Sequence, residues 1–184
     1  MTRIFAIDRL AIVRQIRQLA VLPLLLLFVG FQSGCVHKPH SESGQPTTVV
    51  LIRHAERSMV TGALTPEGHE RAEALVQVLG ETRIAAIYSP NLERNVETVK
   101  PLARHLGVDI TLVEEKPDAD AIAGLLLRNH SGKVVLWVGN TTNLADIYFR
   151  LGGQGDPPND YGDMFVLTVP AGGATVVERK RFGR

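Results

Sequence analysis

The residues best suited to chemistry lie in the segment VVLIRHAERS, residues 49–58. Four apolar residues lead directly into Arg53, His54 and Glu56, with no turn residue between them. A second arginine, Arg94, follows the next predicted strand along the chain. Guanidinium groups match phosphate oxygens in pairs, and a neutral imidazole can attack phosphorus and carry the phosphoryl group. Once brought together, these residue types suit a site for a tetrahedral oxyanion such as phosphate.

The elements that must position these side chains alternate between strands and helices. Predicted strands are TTVVLIR (47–53), IAAIYS (84–89), DITLV (109–113) and KVVLWV (133–138). The first predicted helix is LTPEGHERAEALVQVLG (64–80), with Thr65 as its N-cap and Pro66 at its first position. A second helix ends at Gly107 and is kinked or restarted near Pro101, a third is capped by Asp118, and the last is NLADIYFRLGG (143–153). MFVLTV and ATVVERK, joined by PAGG, predict a terminal hairpin. The pattern indicates an α/β three-layer sandwich with a mainly parallel central sheet and a C-terminal antiparallel hairpin.

Such sheets bind ligands at the carboxyl ends of their strands. Arg53 and His54 end the first strand, Arg94 follows the second, and Asn140 follows the fourth in the segment VGNTTN. We therefore expect these four residues to converge on one edge of the sheet. Thr141 and Thr142 could add hydroxyl donors there.

Four segments together resemble a known family: LIRHAE, LTPEGHERAEAL, IYSPNLERNVETVKPLA and VVLWVGNTTNLADIYFRLGG. They resemble the histidine phosphatase superfamily, also called the phosphoglycerate mutase-like fold, over nearly all of residues 47–184. The resemblance implies that His54 is the catalytic nucleophile and becomes phosphorylated, while Arg53 and Arg94 bind the phosphoryl oxygens. Three further matching positions are expected to be structural: Thr65, Gly68 and Thr98.

The chain departs from the family pattern at Asn140, where the resemblance implies a second histidine that helps to bind the phosphoryl group. None of the other histidines is expected to replace it, since His130 precedes the fourth strand, His69 and His105 lie on helices facing elsewhere, and His37 and His40 precede the domain. Asn140 can donate a neutral hydrogen bond, about half as strong as a charged one. Losing a donor in an oxyanion site typically costs about 100- to 1000-fold in rate. We expect Asn140 to bind substrate in a weakened site.

An alkyl phosphate substrate would also need a carboxylic acid to protonate its leaving oxygen. The sequence offers several candidates and selects none of them: Glu56, Glu114, Glu115, Asp160 and Asp163.

The leading hypothesis is a phosphohydrolase that acts through a phosphohistidine on a phosphorylated small molecule or a phosphoprotein. The alternative is a non-catalytic relative that binds a phosphorylated or anionic ligand at the cell envelope. A mutase is disfavoured, because a domain of this size leaves little room for substrate-gripping insertions. No metal or cofactor is predicted, since the chain lacks metal-ligand spacing, a phosphate-binding glycine loop and a nicotinamide fingerprint.

The beginning of the chain resembles an export signal. A basic leader precedes an uncharged apolar run at 19–31, too short to span a bilayer, and then the segment SGC. We expect residues 1–34 to be a signal peptide of the lipoprotein type, Cys35 to be lipidated, and residues 35–46 to be a flexible tether before a domain at 47–184. Lipidation would attach the protein to a membrane of the cell envelope. An uncleaved anchor, or an ordinary signal with an incidental cysteine, are the alternatives.

Charge excludes one class of partner. Of 20 basic and 19 acidic side chains, residues 35–184 retain 16 and 18, a net charge near −2 with neutral histidines. This is not the balance of a general nucleic-acid binder.

Overall fold

The computed structural model describes residues 44–183. Within them the strands are β1 (Thr47–Arg53), β2 (Ile84–Pro90), β3 (Ile110–Val113), β4 (Val134–Gly139), β5 (Asp163–Val169) and β6 (Val176–Arg181). The helices are α1 (Pro66–Leu79), α2 (Glu93–Leu106), α3 (Ala119–Asn129) and α4 (Thr141–Arg150). The predicted signal peptide, Cys35 and residues 36–43 of the predicted tether lie outside the described residues, so those assignments stay predictions.

The six strands form one sheet in the order β3-β2-β4-β1-β5-β6. β1 through β4 are mutually parallel, whereas β5 runs antiparallel to β1 and β6 antiparallel to β5. The predicted α/β fold, with a mainly parallel sheet and an antiparallel C-terminal hairpin, is confirmed. β1 lies between β4 and β5, so the residues at its carboxyl end have neighbours on both sides.

Two helices cover each face of the sheet. Alternate residues of β1 and β4 point to opposite faces, as strand geometry requires. One core contains Val50, Ile52, Leu136 and Val138 with apolar residues of α1 and α2. The other contains Val49, Leu51, Val135 and Trp137 with apolar residues of α3 and α4. Burial on both faces explains why these strands are apolar without alternation, and it fixes the strand ends that carry the polar residues.

Side chains at the helix starts behave as the sequence predicts. Thr65 accepts a hydrogen bond from the amide of Gly68 at 3.2 Å and caps α1, with Pro66 at its first position. Asp118 caps α3 by accepting from the amide of Ala121 at 2.8 Å. Both predicted caps are confirmed.

Two helix predictions are corrected in detail. The second helix does not restart near Pro101: α2 runs on through it, because proline removes a single helical hydrogen bond while Val99 and Leu102 on either side of it are fully buried. α4 begins at Thr141 and not at residue 143, because the carbonyl of Asn140 already accepts from the amide of Leu144 at 2.9 Å. Asn140 is therefore the N-cap of α4.

None of the helices within residues 44–183 is long and apolar enough to cross a membrane.

Candidate active site

His54 follows the last residue of β1, and hydrogen bonds from two other elements fix its backbone. Its amide donates to the carbonyl of Gly139 at the end of β4 at 3.0 Å. The next amide, that of Ala55, donates to Oγ1 of Thr98 at 2.9 Å, and the Thr98 hydroxyl donates to the carbonyl of Arg94 at 2.7 Å. The fully buried Thr98 thus ties the chain after β1 to the first turns of α2. Its predicted structural role has a physical basis in these bonds.

The His54 ring is almost fully buried, with 3% exposed. Its Nδ1 lies 2.7 Å from the carbonyl oxygen of Ala55. A carbonyl only accepts, so Nδ1 carries the proton and Nε2 keeps its lone pair. Burial lowers the pKa of His54 to about 4, against the Ala55 hydrogen bond, and the charges of the nearby arginines add to the lowering. His54 is therefore a neutral imidazole at neutral pH, with one nitrogen left for a substrate.

Arg53, the last residue of β1, is held by the loop that precedes β5. It donates from Nη1 to the carbonyl of Asn159 at 2.8 Å, and its guanidinium lies 4.0 Å from the ring centroid of Tyr161. The same Tyr161 ring lies 5.8 Å from the His54 ring. Stacking and one hydrogen bond thus orient this guanidinium beside the nucleophile.

Arg94 lies in the first turn of α2 and is held by Asn140. Its Nη2 donates to Oδ1 of Asn140 at 2.9 Å. Arginine only donates hydrogen bonds, so the Asn140 atom in this contact must be the side-chain oxygen. The NH2 group of Asn140 is therefore the atom group that points away from Arg94. Among the described residues that NH2 group has no hydrogen-bond partner. The backbone amide of Asn140 donates to Oδ1 of Asn143 at 2.8 Å, which fixes the N-cap itself.

The four predicted site residues line one cavity of about 170 Å³ at the carboxyl edge of the sheet. Thr141 and Thr142 also line it, as does Arg57, which the sequence analysis did not select. The Nε–H groups of Arg53 and Arg94 are buried and make no hydrogen bond to any described residue. Buried donors are normally paired, so each of these two arginines of the cavity lining keeps one unused hydrogen-bond donor. The predicted convergence of Arg53, His54, Arg94 and Asn140 is what the structure shows, and the role of each remains a prediction.

A larger cavity beside α1, of about 810 Å³, has the opposite character. Its lining includes four carboxylates, those of Glu56, Glu67, Glu70 and Glu73. Carboxylates repel a phosphate, so size alone does not identify the site. The smaller cavity is the one with the charge and the nucleophile for phosphoryl chemistry.

No candidate carboxylic acid lines the small cavity. Arg71 donates three hydrogen bonds of 2.6, 2.8 and 3.0 Å to Glu56, and these hold the pKa of Glu56 below its usual range. An ionised carboxylate in an ion pair is a poor proton donor. Glu114 and Glu115 are exposed after β3. Burial and the charge of Arg57 lower the pKa of Arg94, and the charge of Glu115 opposes this lowering.

The other two candidates, Asp160 and Asp163, belong to the loop that supports Arg53. Oδ2 of Asp163 accepts from the amides of Asn159 and Asp160 at 3.0 and 2.8 Å, while its Oδ1 accepts from Arg181 of β6 at 2.7 Å. Arg181 also donates to the carbonyl of Tyr161 at 2.9 Å. Asp163 thus holds the loop that presents Asn159 and Tyr161, and both of its carboxylate oxygens already accept hydrogen bonds.

Sequence reasoning missed Asn159, Tyr161 and Arg57. The positions of Asn159 and Tyr161 follow only from the order of the strands in the sheet. β5 lies antiparallel beside β1, with Ile52 opposite Met164, so the loop that precedes β5 must lie at the carboxyl end of β1. The hairpin was predicted, but its pairing with β1 was not. For Arg57 the signal was its position three residues after His54.

Gly68 and Thr65 support the chain that follows His54. The Thr65 amide donates to the carbonyl of Glu56 at 3.0 Å. A Cβ on Gly68 would collide with that same carbonyl oxygen, so α1 can approach the segment this closely only with glycine. Both residues are structural, as expected, and neither lines the small cavity.

The sequence analysis predicts no metal site. Within residues 44–183, no group of three or more histidine, cysteine, aspartate or glutamate side chains is arranged to hold a metal ion.

Comparison with known proteins points to one family. The family model described as histidine phosphatase superfamily (branch 1) matches residues 49–117, which contain Arg53, His54 and Arg94. Over this segment the chain is similar to the histidine phosphatase superfamily, the family that its sequence resembles. No curated protein matches its sequence significantly.

Several solved structures share the superfamily fold. Bacillus stearothermophilus YhfR is 19% identical, with a TM-score of 0.59, over 71% of this chain and 95% of YhfR. The putative phosphohistidine phosphatase SixA from Agrobacterium tumefaciens is 18% identical, with a TM-score of 0.56, over 73% and 97%. A protein histidine phosphatase SixA complexed with tungstate is 16% identical, with a TM-score of 0.61, over 73% and 96%. At these identities the likeness establishes the phosphoglycerate mutase-like fold.

Proposed function

We propose that this protein belongs to the histidine phosphatase superfamily and is a phosphohydrolase that acts through a phosphohistidine on His54. The observation that carries the proposal is the hydrogen bond of 2.7 Å between Nδ1 of His54 and the Ala55 carbonyl. It leaves the Nε2 lone pair for phosphorus in a cavity shared with Arg53 and Arg94. A side chain held neutral, oriented and flanked by cations has the properties of an activated nucleophile.

The proposed reaction has two steps. Nε2 forms a bond to phosphorus while the bond from phosphorus to the leaving group breaks, and the leaving group departs with the electron pair. Water then attacks the phosphohistidine, the N–P bond breaks, and phosphate is released as Nε2 recovers its lone pair. Arg53 and Arg94 neutralise charge on the phosphoryl oxygens in both steps, and the NH2 group of Asn140 is the additional donor.

Within residues 44–183 no carboxyl group lines the cavity, and this supports a substrate class. An alkoxide leaving group needs a proton, whereas an aryl or acyl phosphate does not. Transfer from an N-phosphoryl group to His54 exchanges one N–P bond for another. We therefore propose substrates with good leaving groups, and similarity to structures named as phosphohistidine phosphatases supports an N-phosphoryl group among them. A cavity of about 170 Å³ accommodates the phosphoryl group, so the rest of a small molecule or phosphoprotein would lie outside it.

A specific observation favours the second candidate, a phosphate-binding protein without turnover. Oδ1 of Asn140 is occupied by Arg94, so position 140 both lacks an imidazole and serves another side chain. Rapid mixing of the full chain with 4-nitrophenyl phosphate distinguishes the two. We expect release of 4-nitrophenol and a mass increase of one phosphoryl group, both lost in His54→Ala. Vanadate binding without either signal would support the binding protein and contradict the hydrolase.

We also propose that the protein is exported and anchored through a lipid on Cys35. The basic leader, the apolar run at 19–31 and the small residues before Cys35 support this proposal. Cells that express the protein and are fed labelled palmitate should label the native chain and leave Cys35→Ser unlabelled. Equal labelling of the two would contradict lipidation at this residue.

A further inference from the structure

The turn formed by residues 57–64 carries the two most exposed large apolar side chains of the part of the chain that the structure describes. Met59 is 81% exposed and Val60 is 95% exposed. The other exposed large apolar residues among those described occur singly along the chain, and the most exposed of them, Val176, reaches 61%. Single exposed apolar residues are ordinary on protein surfaces. An adjacent pair that is almost wholly in water is a candidate contact for a partner.

The turn has an ordered backbone. The amide of Ser58 donates to the carbonyl of Ala63 at 2.8 Å, and the amide of Gly62 donates to the carbonyl of Ser58 at 3.0 Å. The Ser58 hydroxyl accepts from the amides of Val60 and Thr61, both at 3.2 Å. Gly62 has a φ of 79°, a left-handed conformation that favours glycine. A partner of Met59 and Val60 would therefore bind a turn that is already formed, with little loss of chain entropy.

The turn begins beside the phosphoryl cavity. Arg57 pairs with Leu64 in an isolated antiparallel bridge at the base of the turn, and Arg57 also lines the cavity that contains His54. Val60 follows three residues later, so the Cα atoms of Arg57 and Val60 lie within about 11 Å of each other. The cavity, of about 170 Å³, accommodates only a phosphoryl group. The rest of a large bound molecule would lie on the surface outside it, where the turn is.

The partner must combine a phosphoryl group for the cavity with an apolar surface for the turn. A phosphoprotein has both, and so does a lipid surface. The chain enters β1 at Thr47, at the amino end of the strand, whereas the turn follows its carboxyl end. A lipid on Cys35, as proposed above, would thus attach the domain through the edge of the sheet opposite to the turn. This opposition favours a protein partner.

We propose that the turn at 57–64 is a docking element for a phosphoprotein substrate. Met59 and Val60 cover an apolar surface next to the phosphorylated side chain while the phosphoryl group occupies the cavity. The inference rests on the proposed function and narrows its substrates to proteins with apolar residues beside an N-phosphoryl group. Binding energy from such remote contacts increases kcat/KM, and a small substrate gains nothing from them.

The test uses the full chain, 4-nitrophenyl phosphate and two peptides phosphorylated on a central histidine, one flanked by leucines and one by serines. The native chain should prefer the leucine peptide by about tenfold or more in kcat/KM, since the leucines bury apolar surface against the turn. Met59→Ser combined with Val60→Ser should remove most of this preference. The double variant should keep hydrolysis of 4-nitrophenyl phosphate within about twofold of the native rate, because neither residue lines the cavity.

Val176→Ser is the matched control, since it removes an exposed apolar side chain from the start of β6, at the opposite edge of the sheet. It should keep the full preference for the leucine peptide. Equal rates for the two peptides in the native chain, or a preference that survives in the double variant with an unchanged melting curve, would overturn the docking role. Binding to phosphatidylglycerol vesicles that depends on the turn would assign it to a membrane and would also overturn the proposal.

Docking is separated from hydrolysis by measuring peptide binding to His54→Ala with fluorescence anisotropy. This variant should bind the leucine peptide more tightly than the serine peptide, and adding Met59→Ser and Val60→Ser should abolish the difference. That result, together with no turnover of any substrate by the native chain, would support the docking turn and contradict the proposed hydrolase. Equal affinities for the two peptides would contradict the docking turn and leave the hydrolase standing on its own rates.

Discussion

His54 and His130 are two partly or wholly buried histidines at opposite edges of the sheet. Burial lowers the pKa of both. Nε2 of His130, however, shares a hydrogen bond of 2.8 Å with the Tyr88 hydroxyl, and the two rings meet edge to face with centroids 5.5 Å apart. His54 instead uses a backbone carbonyl for Nδ1 and keeps Nε2 free among three arginines. Burial favours the neutral form of a histidine. Whether the neutral ring can react with a substrate then depends on whether its second nitrogen already has a hydrogen-bond partner.

The largest expected effect separates the two histidines directly. His54→Ala should reduce hydrolysis of 4-nitrophenyl phosphate by roughly 1000-fold or more, since it removes the nucleophile. His130→Ala should keep turnover within about twofold and lower the free energy of unfolding by about 1 to 2 kcal/mol, because it leaves the Tyr88 hydroxyl without its partner. Steady-state rates and urea unfolding of both variants measure this. Comparable rate losses would mean that the contrast between the two sites is wrong.

The next largest effect concerns the arginine side chains that line the cavity of His54. Arg94→Ala should weaken vanadate binding by about 1.5–3 kcal/mol, the typical contribution of a charge-assisted hydrogen bond. Titration calorimetry measures it, with Arg104→Ala as control, because Arg104 is an exposed residue of the same helix. Equal affinities for the two variants would place Arg94 outside the binding site.

Asn140→His tests the contrast further, because it places a second imidazole in the cavity that contains His54. One ring nitrogen could accept from Arg94 as Oδ1 does now, and the other could donate to the phosphoryl group. We expect a gain in turnover of about 10-fold, equivalent to about 1.4 kcal/mol. The gain should disappear in Asn140→His combined with His54→Ala. A fall in turnover would show that the amide is better suited to this site than an imidazole.

The smallest effect is a pH dependence. Protonation of His54 would remove the nucleophilic lone pair, and its pKa is lowered to about 4, so activity should decrease only as the pH falls through about 4. Between pH 7 and pH 5 the rate, corrected for substrate ionisation, should fall by only about 10%, whereas a histidine with an ordinary pKa would lose most of its neutral form. A rate that halves near pH 6.5 would contradict the buried, cation-flanked environment of His54.

The fold and the convergence of four site residues were predictable because each depends on local pattern and chain direction. The apolar run before Arg53 identifies a buried strand, and the parallel order of the strands places His54 and Asn140 at one edge. Thr65 and Asp118 identify helix starts because capping uses a side chain close in sequence. The restart that the pattern allowed near Pro101 does not occur, because burial of the neighbouring residues outweighs the loss of one hydrogen bond.

The contacts that orient the site were not predictable in the same way. Tyr161 reaches Arg53 across more than 100 residues of sequence, and no local pattern reports such a contact. The orientation of the Asn140 amide is likewise set by Arg94, 46 residues earlier, which donates to its oxygen. Residue types and strand ends predict which groups meet, while their hydrogen-bond partners depend on the packed tertiary structure.

The bonds from Arg181 to Asp163 and Tyr161 give the end of the chain an unexpected importance for catalysis. A protein trimmed by a protease before Arg181 would retain every residue of the small cavity and the whole buried sheet through β5. It would lose the hydrogen bonds from Arg181 that support the loop that presents Asn159 and Tyr161 to Arg53. Such a trimmed protein would still contain its nucleophile, but the guanidinium beside it would be poorly aimed, and one core would lose the buried Phe182. Intact mass is therefore a check to make whenever preparations of this protein are compared for activity.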